Sequence, residues 1–384
     1  MNKIVLIPDS FKGTLTSIEI CTIISDKINK HFPHCHVVSI PVADGGEGSV
    51  DCFLSALGGE KIFETVSNPY FEDMEAFYGL IGDTAVIEMA ACAGLPLVED
   101  RKNPSLTTTY GVGQLIMKAA NKGCKKIIVG LGGSSTNDGG CGAAAAAGVK
   151  FFDRKGNEFI PVGKTLIDID KIDMSHKAKE LDNIEIITMC DIDNPMYGPA
   201  GAAYIFGPQK GADENMVIEL DKGLRNLSSV IKKEKGKDVS DIPGSGAAGA
   251  MGAGMIVFFD SALQMGIETV LNTVKFDDII ADADMIFTGE GRIDSQSLRG
   301  KVVIGVGKRA KNKNIPVTVI AGGAAGNIDE AYDMGVTSIF TINRLPEDFQ
   351  ISRYKSKENL EATIDNILRL IKSVEKGIEI PEFK

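Results

Sequence analysis

The sequence predicts an α/β protein built on a doubly wound, mostly parallel sheet, and three observations carry that reading. Apolar runs, glycine loops and amphipathic helices follow one another in that order from Lys3 to Leu57 and again from Met285 to Lys376. Between Lys61 and Met89 the pattern changes to three short strand-like runs with turn signals between them. The length of 384 residues exceeds a usual single domain, so two domains are expected.

Lys3 to Pro8 reads as a buried strand. A helix is expected from about Ser17 to His31, with Ile18, Ile20, Cys21, Ile24 and Ile28 on its inner side. His36 to Val42 is a second strand, and ADGGEG opens a helix through Leu57. The runs Lys61–Val66, Ala76–Leu80 and Ala85–Met89 suggest an antiparallel or mixed insertion. A helix from Gly111 to Ala120 leads to a strand before Gly130, and Ile184 to Met189 forms another. Val217 to Lys232 reads as an exposed helix, and Ile267 to Ala283 as a single helix ending at a strand, Met285 to Thr288. Alternation then closes the chain: helix Val302–Lys311, strand Val317–Ala321, helix Asp329–Met334, strand Ser338–Ile342 and helix Glu358–Lys376. No repeat of fixed period is present.

Hydrophobic content of 43% with 24% charged residues is ordinary for a soluble globular protein. The net charge of -11 argues against nucleic acid, whose partners are usually basic. Seven scattered cysteines without a CxxC pair point to neither zinc nor redox chemistry, and fit a reducing cytoplasm. The opening MNKIVLIPDSFKG holds too little apolar sequence for a signal peptide. The longest apolar stretch, Gly244 to Phe259, falls short of the roughly 20 residues that cross a bilayer, so no membrane partner is expected.

The 43 glycines gather in separate loops, and GLGGSSTNDGGCG, from Gly130 to Gly142, is the richest. Glycine lets a backbone turn sharply and approach a ligand. The hydroxyls of Ser134, Ser135 and Thr136 add hydrogen bonds, and the helix beyond is expected to offer free N–H groups to a phosphate. Asp138 would repel phosphate unless it holds a cation, so the loop suggests a nucleotide site with a metal ion. It matches neither the Walker A nor the dinucleotide fingerprint, and a tight ligand-free turn is the alternative.

Other loops carry charge at strand ends, where open α/β sheets bind ligands. Asp9, Ser10 and Lys12 follow the first strand, and Asp44 and Glu47 follow the second. Asp44 and Glu47 can hold Mg2+ or orient a hydroxyl; the alternative for Glu47 is a favoured place in a helix's first turn. Asp191 and Asp193 follow a strand, with Lys210 at the tip of the turn GPQKG. TGEGRIDSQSLRGK combines Glu290, Arg292, Asp294, Arg299 and Lys301; a guanidinium there can bind a carboxylate bidentately, and Lys301 can reach a phosphate. PGSGAAGAMGAG holds no cation and is explained nearly as well by close helix packing. His31, His34 and His36 are expected at the surface, and no histidine supports a Ser-His-Asp triad.

Taken together, PDSFKGTLTS, PVADGGEGS, NPSLTTTYGVGQLI, GLGGSSTNDGGCG, CDIDNP, FGPQKGA, PGSGAAGAMG and TGEGRIDSQSLRGK resemble the type-1 glycerate kinases over nearly the whole chain. Departures are mild: Ser135 and Cys141 stand where alanine is common, and Ser297 where threonine is common. The resemblance implies ATP-dependent phosphorylation of D-glycerate with Mg2+ in the cytoplasm, with 2-phosphoglycerate the preferred product over 3-phosphoglycerate. It implies two α/β domains around a cleft. One is a doubly wound, mostly parallel, Rossmann-like sheet from residues 1–60 and 285–384. The other is a mixed α/β domain, residues 61–284, inserted into it.

Phosphoryl transfer needs positioning and charge neutralisation more than covalent chemistry. On that basis Asp191 is expected to orient or deprotonate the glycerate hydroxyl, with Lys12 and Arg292 catalytic beside it. Asp193 or Asp44 would hold Mg2+. Asp9, Ser10, Asp44, Glu47, Arg299 and Lys301 are candidates for glycerate. Gly132, Gly133, Ser134, Ser135, Thr136, Asp138 and Lys210 are candidates for ATP. A dehydrogenase using NAD fits the alternation but lacks the fingerprint, and a silent nucleotide-binding regulator would have no use for the acids. A homo-oligomer is compatible with the sequence, which leaves the oligomeric state open.

Overall fold

The computed structural model describes residues 1–43, 45–295 and 297–375, with the backbone alone at Arg299. The chain divides into two compact units, one of Met1–Ala43 with Val270–Lys384, the other of Asp44–Thr269.

The first unit holds five parallel strands in the order Ser338–Thr341, Val317–Ala324, Met285–Ile293, Lys3–Pro8, His36–Ser39. Alternate residues of a strand face opposite sides of its sheet. Accordingly Ile320 enters one core with Ile4, Leu6 and helices Ser17–His31 and Ser356–Glu375. Val319 and Ala321 enter another with helix Val302–Lys311. Helices therefore cover both faces, as the alternation predicts. Thr16 starts its helix with a capping box: its hydroxyl accepts from Glu19 N–H at 3.2 Å, and Glu19 accepts from Thr16 N–H at 2.8 Å. His31, expected at the surface, is buried, because the closing helix brings Asp365 to 2.8 Å from its ring. The expected second strand, His36–Val42, is regular only to Ser39. Beyond it Pro41 has no N–H, and single bonds from Ile40 and Val42 follow the first strand. The first strand connects towards one edge of the sheet and Met285–Ile293 towards the other, so the order reverses between them.

The second unit holds a mixed six-stranded sheet. Ala262–Gln264, Glu185–Met189, Lys126–Gly130 and Thr84–Glu88 are parallel, then Asp73–Ile81 and Glu60–Ser67 are antiparallel. The mixed region of the sequence is this edge. Helix Glu214–Lys235, expected to be exposed, buries Val217, Leu220, Leu224, Leu227 and Ile231 at helical spacing and shows only its other face. Where the chain leaves the second unit at Thr269 and re-enters the first, the single helix expected over 267–283 is two, Gly266–Thr273 and Phe276–Ile279, separated by Lys275 in the left-handed region (φ 54). Among the described residues no helix is long and apolar enough to cross a membrane.

Candidate active site

The loops after Lys126–Gly130 and Glu185–Met189 enclose a cavity of about 390 Å³ in the second unit. Its wall includes Gly132, Gly133, Ser134, Asp191, Lys210 and Ala248. The glycines are required by backbone proximity. A Cβ on Gly130 would lie 2.3 Å from the Gly45 carbonyl, and one on Gly132 would lie 2.5 Å from the Gly46 Cα. Gly132 N–H also donates to Gly45 at 3.0 Å. Two glycine motifs remote in sequence thus meet backbone to backbone beside the cavity.

Asp138 organises the loop from within. Its carboxylate accepts from Thr109 N–H (2.7 Å), the Thr109 hydroxyl (2.8 Å), Gly140 N–H (3.1 Å) and Gly142 N–H (3.2 Å), and it is fully buried. Burial lifts its pKa above the usual carboxylate range, against the pull of those donors. The Thr109 hydroxyl also accepts from Ala143 N–H at 2.9 Å. The N–H groups at the start of helix Cys141–Ala146, expected to be open to phosphate, are therefore taken by Asp138 and Thr109. Thr108 and Thr109 lie in the motif NPSLTTTYGVGQLI, but nothing in their spacing assigns them to Asp138. The local clue to their role is that hydroxyl residues cluster before helix Tyr110–Asn121.

Lys210 is the cation of the cavity wall. Its amine donates to the Ser134 hydroxyl (2.8 Å) and the Thr136 carbonyl (2.7 Å), and only 2% of the residue is exposed. Burial pushes its pKa down to about 7, with Asp138 pulling the other way. An arriving anion would restore the full charge of this amine. Asp191 accepts from Gly266 N–H at 2.7 Å through Oδ1 and stands on the wall. Cys190 is beside it, but burial raises its thiol to about 11, so it is no nucleophile near neutral pH.

The backbone over the loop is strained. Within helix Ala247–Phe258, three consecutive residues are left-handed: Ala248 (φ 55), Gly249 (φ 68) and Ala250 (φ 66). A Cβ on Gly249 would lie 2.1 Å from the Thr136 carbonyl. Left-handed alanine costs about 1 kcal/mol. Ala248→Gly and Ala250→Gly are each expected to stabilise by about that amount, and Gly249→Ala to destabilise by more, as read from urea midpoints. Stabilisation by Gly249→Ala would show that this backbone is not held as described.

The remaining candidates are placed as follows. Gly132, Gly133, Ser134 and Lys210 line the cavity, whereas Ser135, Thr136 and Asp138 lie buried beneath it. Asp193 and Glu47 are exposed. In the first unit, Lys12 is exposed on the tight turn Phe11–Leu15, and Asp9 accepts from Ser10 N–H at 2.6 Å. Arg292 is exposed, with Nε 3.7 Å from Asp294, and Lys301 precedes helix Val302–Lys311. Asp44 and the side chain of Arg299 lie outside the described residues.

A glycine-walled cavity with one buried lysine, at the ends of the parallel strands of a mixed α/β sheet, is the build of an enzyme for anionic small molecules. The glycerate kinase family model matches residues 4–372. A glycerate kinase of Bacillus cereus is 45% identical over 95% of this chain and 97% of its own. A glycerate 2-kinase of Escherichia coli is 43% identical over 88% of this chain and 90% of its own. A crystal structure assigned as glycerate kinase 2 from Salmonella typhimurium LT2 superposes with a TM-score of 0.87 at 38% identity, covering 98% of this chain and 99% of that one. The chain belongs to the glycerate kinase family.

Proposed function

We propose that this enzyme transfers the γ-phosphoryl group of ATP to the 2-hydroxyl of D-glycerate, giving 2-phosphoglycerate and ADP. The cavity with Lys210 aimed at Ser134 carries this reading: it joins a cation, a hydroxyl and close-packed glycine backbone at the strand ends. The 2-hydroxyl is preferred because the Escherichia coli relative is a glycerate 2-kinase. The hydroxyl oxygen forms a bond to phosphorus, the bond to the bridging oxygen of ADP breaks, and the hydroxyl proton is released.

Gly132, Gly133, Ser134 and Lys210 take the phosphate oxygens, with Ser135, Thr136 and Asp138 supporting them from below. Asp191 orients the reacting groups at the wall. Mg2+ takes oxygen ligands, commonly one or two carboxylates plus phosphate and water. Asp193, an exposed carboxylate two residues beyond Asp191, fits that donor set and is the side chain assigned to hold the ion. Bound there, Mg2+ would neutralise charge on the phosphoryl oxygens. In the first unit, Asp9, Ser10, Lys12, Arg292 and Lys301 are assigned to glycerate. Seven free cysteines, six of them buried, suit a cytoplasmic enzyme.

The test is ADP release in the presence of ATP, Mg2+ and D-glycerate, with the product isomer read by NMR. Release independent of glycerate would refute the kinase, and 3-phosphoglycerate would refute the regiochemistry alone. Asp191→Asn keeps an oxygen for the Gly266 N–H and is expected to leave the melting temperature unchanged while lowering kcat about a hundredfold. Full turnover by this variant would remove Asp191 from its role.

A further inference from the structure

Glu290 is a buried carboxylate that the preceding assignments leave unused. It lies one residue beyond Gly289, which pairs with Pro8 at the end of the first strand. The sheet order reverses there, between Lys3–Pro8 and Met285–Ile293, and ligands of open α/β sheets bind outside the carboxyl ends at such a point. Glycines on either side bring backbone close. A Cβ on Gly289 would lie 2.0 Å from the Ile320 carbonyl, and one on Gly291 would lie 3.2 Å from the Lys12 backbone nitrogen. Glu290 is the one side chain of this Gly-Glu-Gly run, and 9% of it is exposed.

A carboxylate in such a place is normally satisfied by donors. The Ser297 hydroxyl donates to Glu290, yet Oε1 is buried with no hydrogen-bond partner among the described residues. Lys301 attracts the group, and Asp9 and Asp294 repel it. Burial dominates and pushes its pKa up to about 7, against the lowering by Ser297 and Lys301. A buried acceptor without a donor is unfavourable in the free protein and becomes satisfied when a ligand brings an O–H.

We propose that Glu290 is a specificity-determining binding residue, whose Oε1 accepts a hydrogen bond from a hydroxyl of the hydroxy-acid substrate at the end of the first strand. Lys12 follows the first strand and Lys301 attracts Glu290, so both supply positive charge at this end of the sheet for the substrate carboxylate. The assignment rests on glycerate being the acceptor. A site that hydrogen-bonds a hydroxyl discriminates strongly against analogues lacking it, because the buried group is then left unpaired.

The test pairs residue and ligand. Titration calorimetry would measure D-glycerate, D-lactate (no 3-hydroxyl) and 3-hydroxypropionate (no 2-hydroxyl) against the full-length wild type and Glu290→Met. Wild type is expected to bind one deoxy acid at least tenfold more weakly than glycerate. In Glu290→Met, which has no carboxyl or amide oxygen to accept the hydroxyl, glycerate should weaken at least tenfold, and the penalty for that same deoxy acid should shrink to within threefold. Steady-state kinetics should show KM raised with kcat within threefold. Ser297→Ala, which leaves the carboxylate but removes its donor, should raise KM less, and it stands in if Glu290→Met does not fold. An unchanged deoxy penalty overturns the proposal, and so does a fall in kcat at constant KM. A wild type that neither binds nor phosphorylates glycerate overturns the acceptor reading itself, and that failure appears before any substitution is made.

Discussion

Asp138→Ala is expected to destabilise the protein by about 4 kcal/mol, the sum of several buried donors left unpaired. Three backbone N–H groups, on Thr109, Gly140 and Gly142, and the Thr109 hydroxyl all end on this one carboxylate. Water cannot replace it without space, since Thr107, Thr108, Thr109, Thr136 and Asn137 around it are buried. Asp138→Asn keeps one acceptor oxygen and should cost about half as much. Its amide hydrogens would then confront N–H groups instead of accepting from them. Urea unfolding of the three proteins at pH 7 measures both differences. Were Asp138 a metal-holding carboxylate, as the sequence suggests, stability would hold and the apparent Mg2+ requirement of the variant would rise. A destabilisation below about 1 kcal/mol would favour that second role.

What can be read in advance follows from range along the chain. The first strand and its helix are legible because Ile20, Ile24 and Ile28 repeat at helical spacing and Thr16 and Glu19 form a local cap. The glycine loop is legible because strand, turn and helix are contiguous from Lys126 to Ala146. The partners that decide its chemistry are not contiguous. Thr109 precedes Asp138 by a helix and a strand, and Lys210 reaches Ser134 from a different strand connection. A lysine between Gln209 and Gly211 reads as the tip of a turn, and only tertiary packing shows that it is buried. The small sheet of Lys150–Phe152, Glu158–Phe159 and Lys171–Asp173 is invisible for another reason: strands of two and three residues show no periodicity. The left-handed turn at Ala248–Ala250 is hidden because alanine favours the right-handed helix, so its residues argue against the conformation they adopt.

Lys210→Met is expected to remove both most of the activity and a pH dependence of stability. In the folded protein burial holds the amine near 7, against 10.5 for an ordinary lysine. Between those values the unfolded chain binds the extra proton and the native state does not, so stability rises with pH across this window. The full difference is worth at most about 5 kcal/mol. Glu290 up to about pH 7, and Cys190 and Tyr78 above pH 9, work in the opposite direction, since burial raises all three, but they do so equally in wild type and variant. Calorimetric melts at pH 6.5 and 9 should therefore show a gain in melting temperature for the wild type that is smaller or absent in Lys210→Met. Turnover should fall at least about a hundredfold, the usual consequence of losing a donor that faces developing charge. Lys210→Arg provides the opposing case. A guanidinium cannot shed its proton, so the same volume must take a permanent charge. That variant should be less stable than wild type at pH 9, where the native lysine is neutral. Parallel pH profiles for all three proteins would mean that the amine stays protonated in the folded state, and that Asp138 outweighs burial at this site.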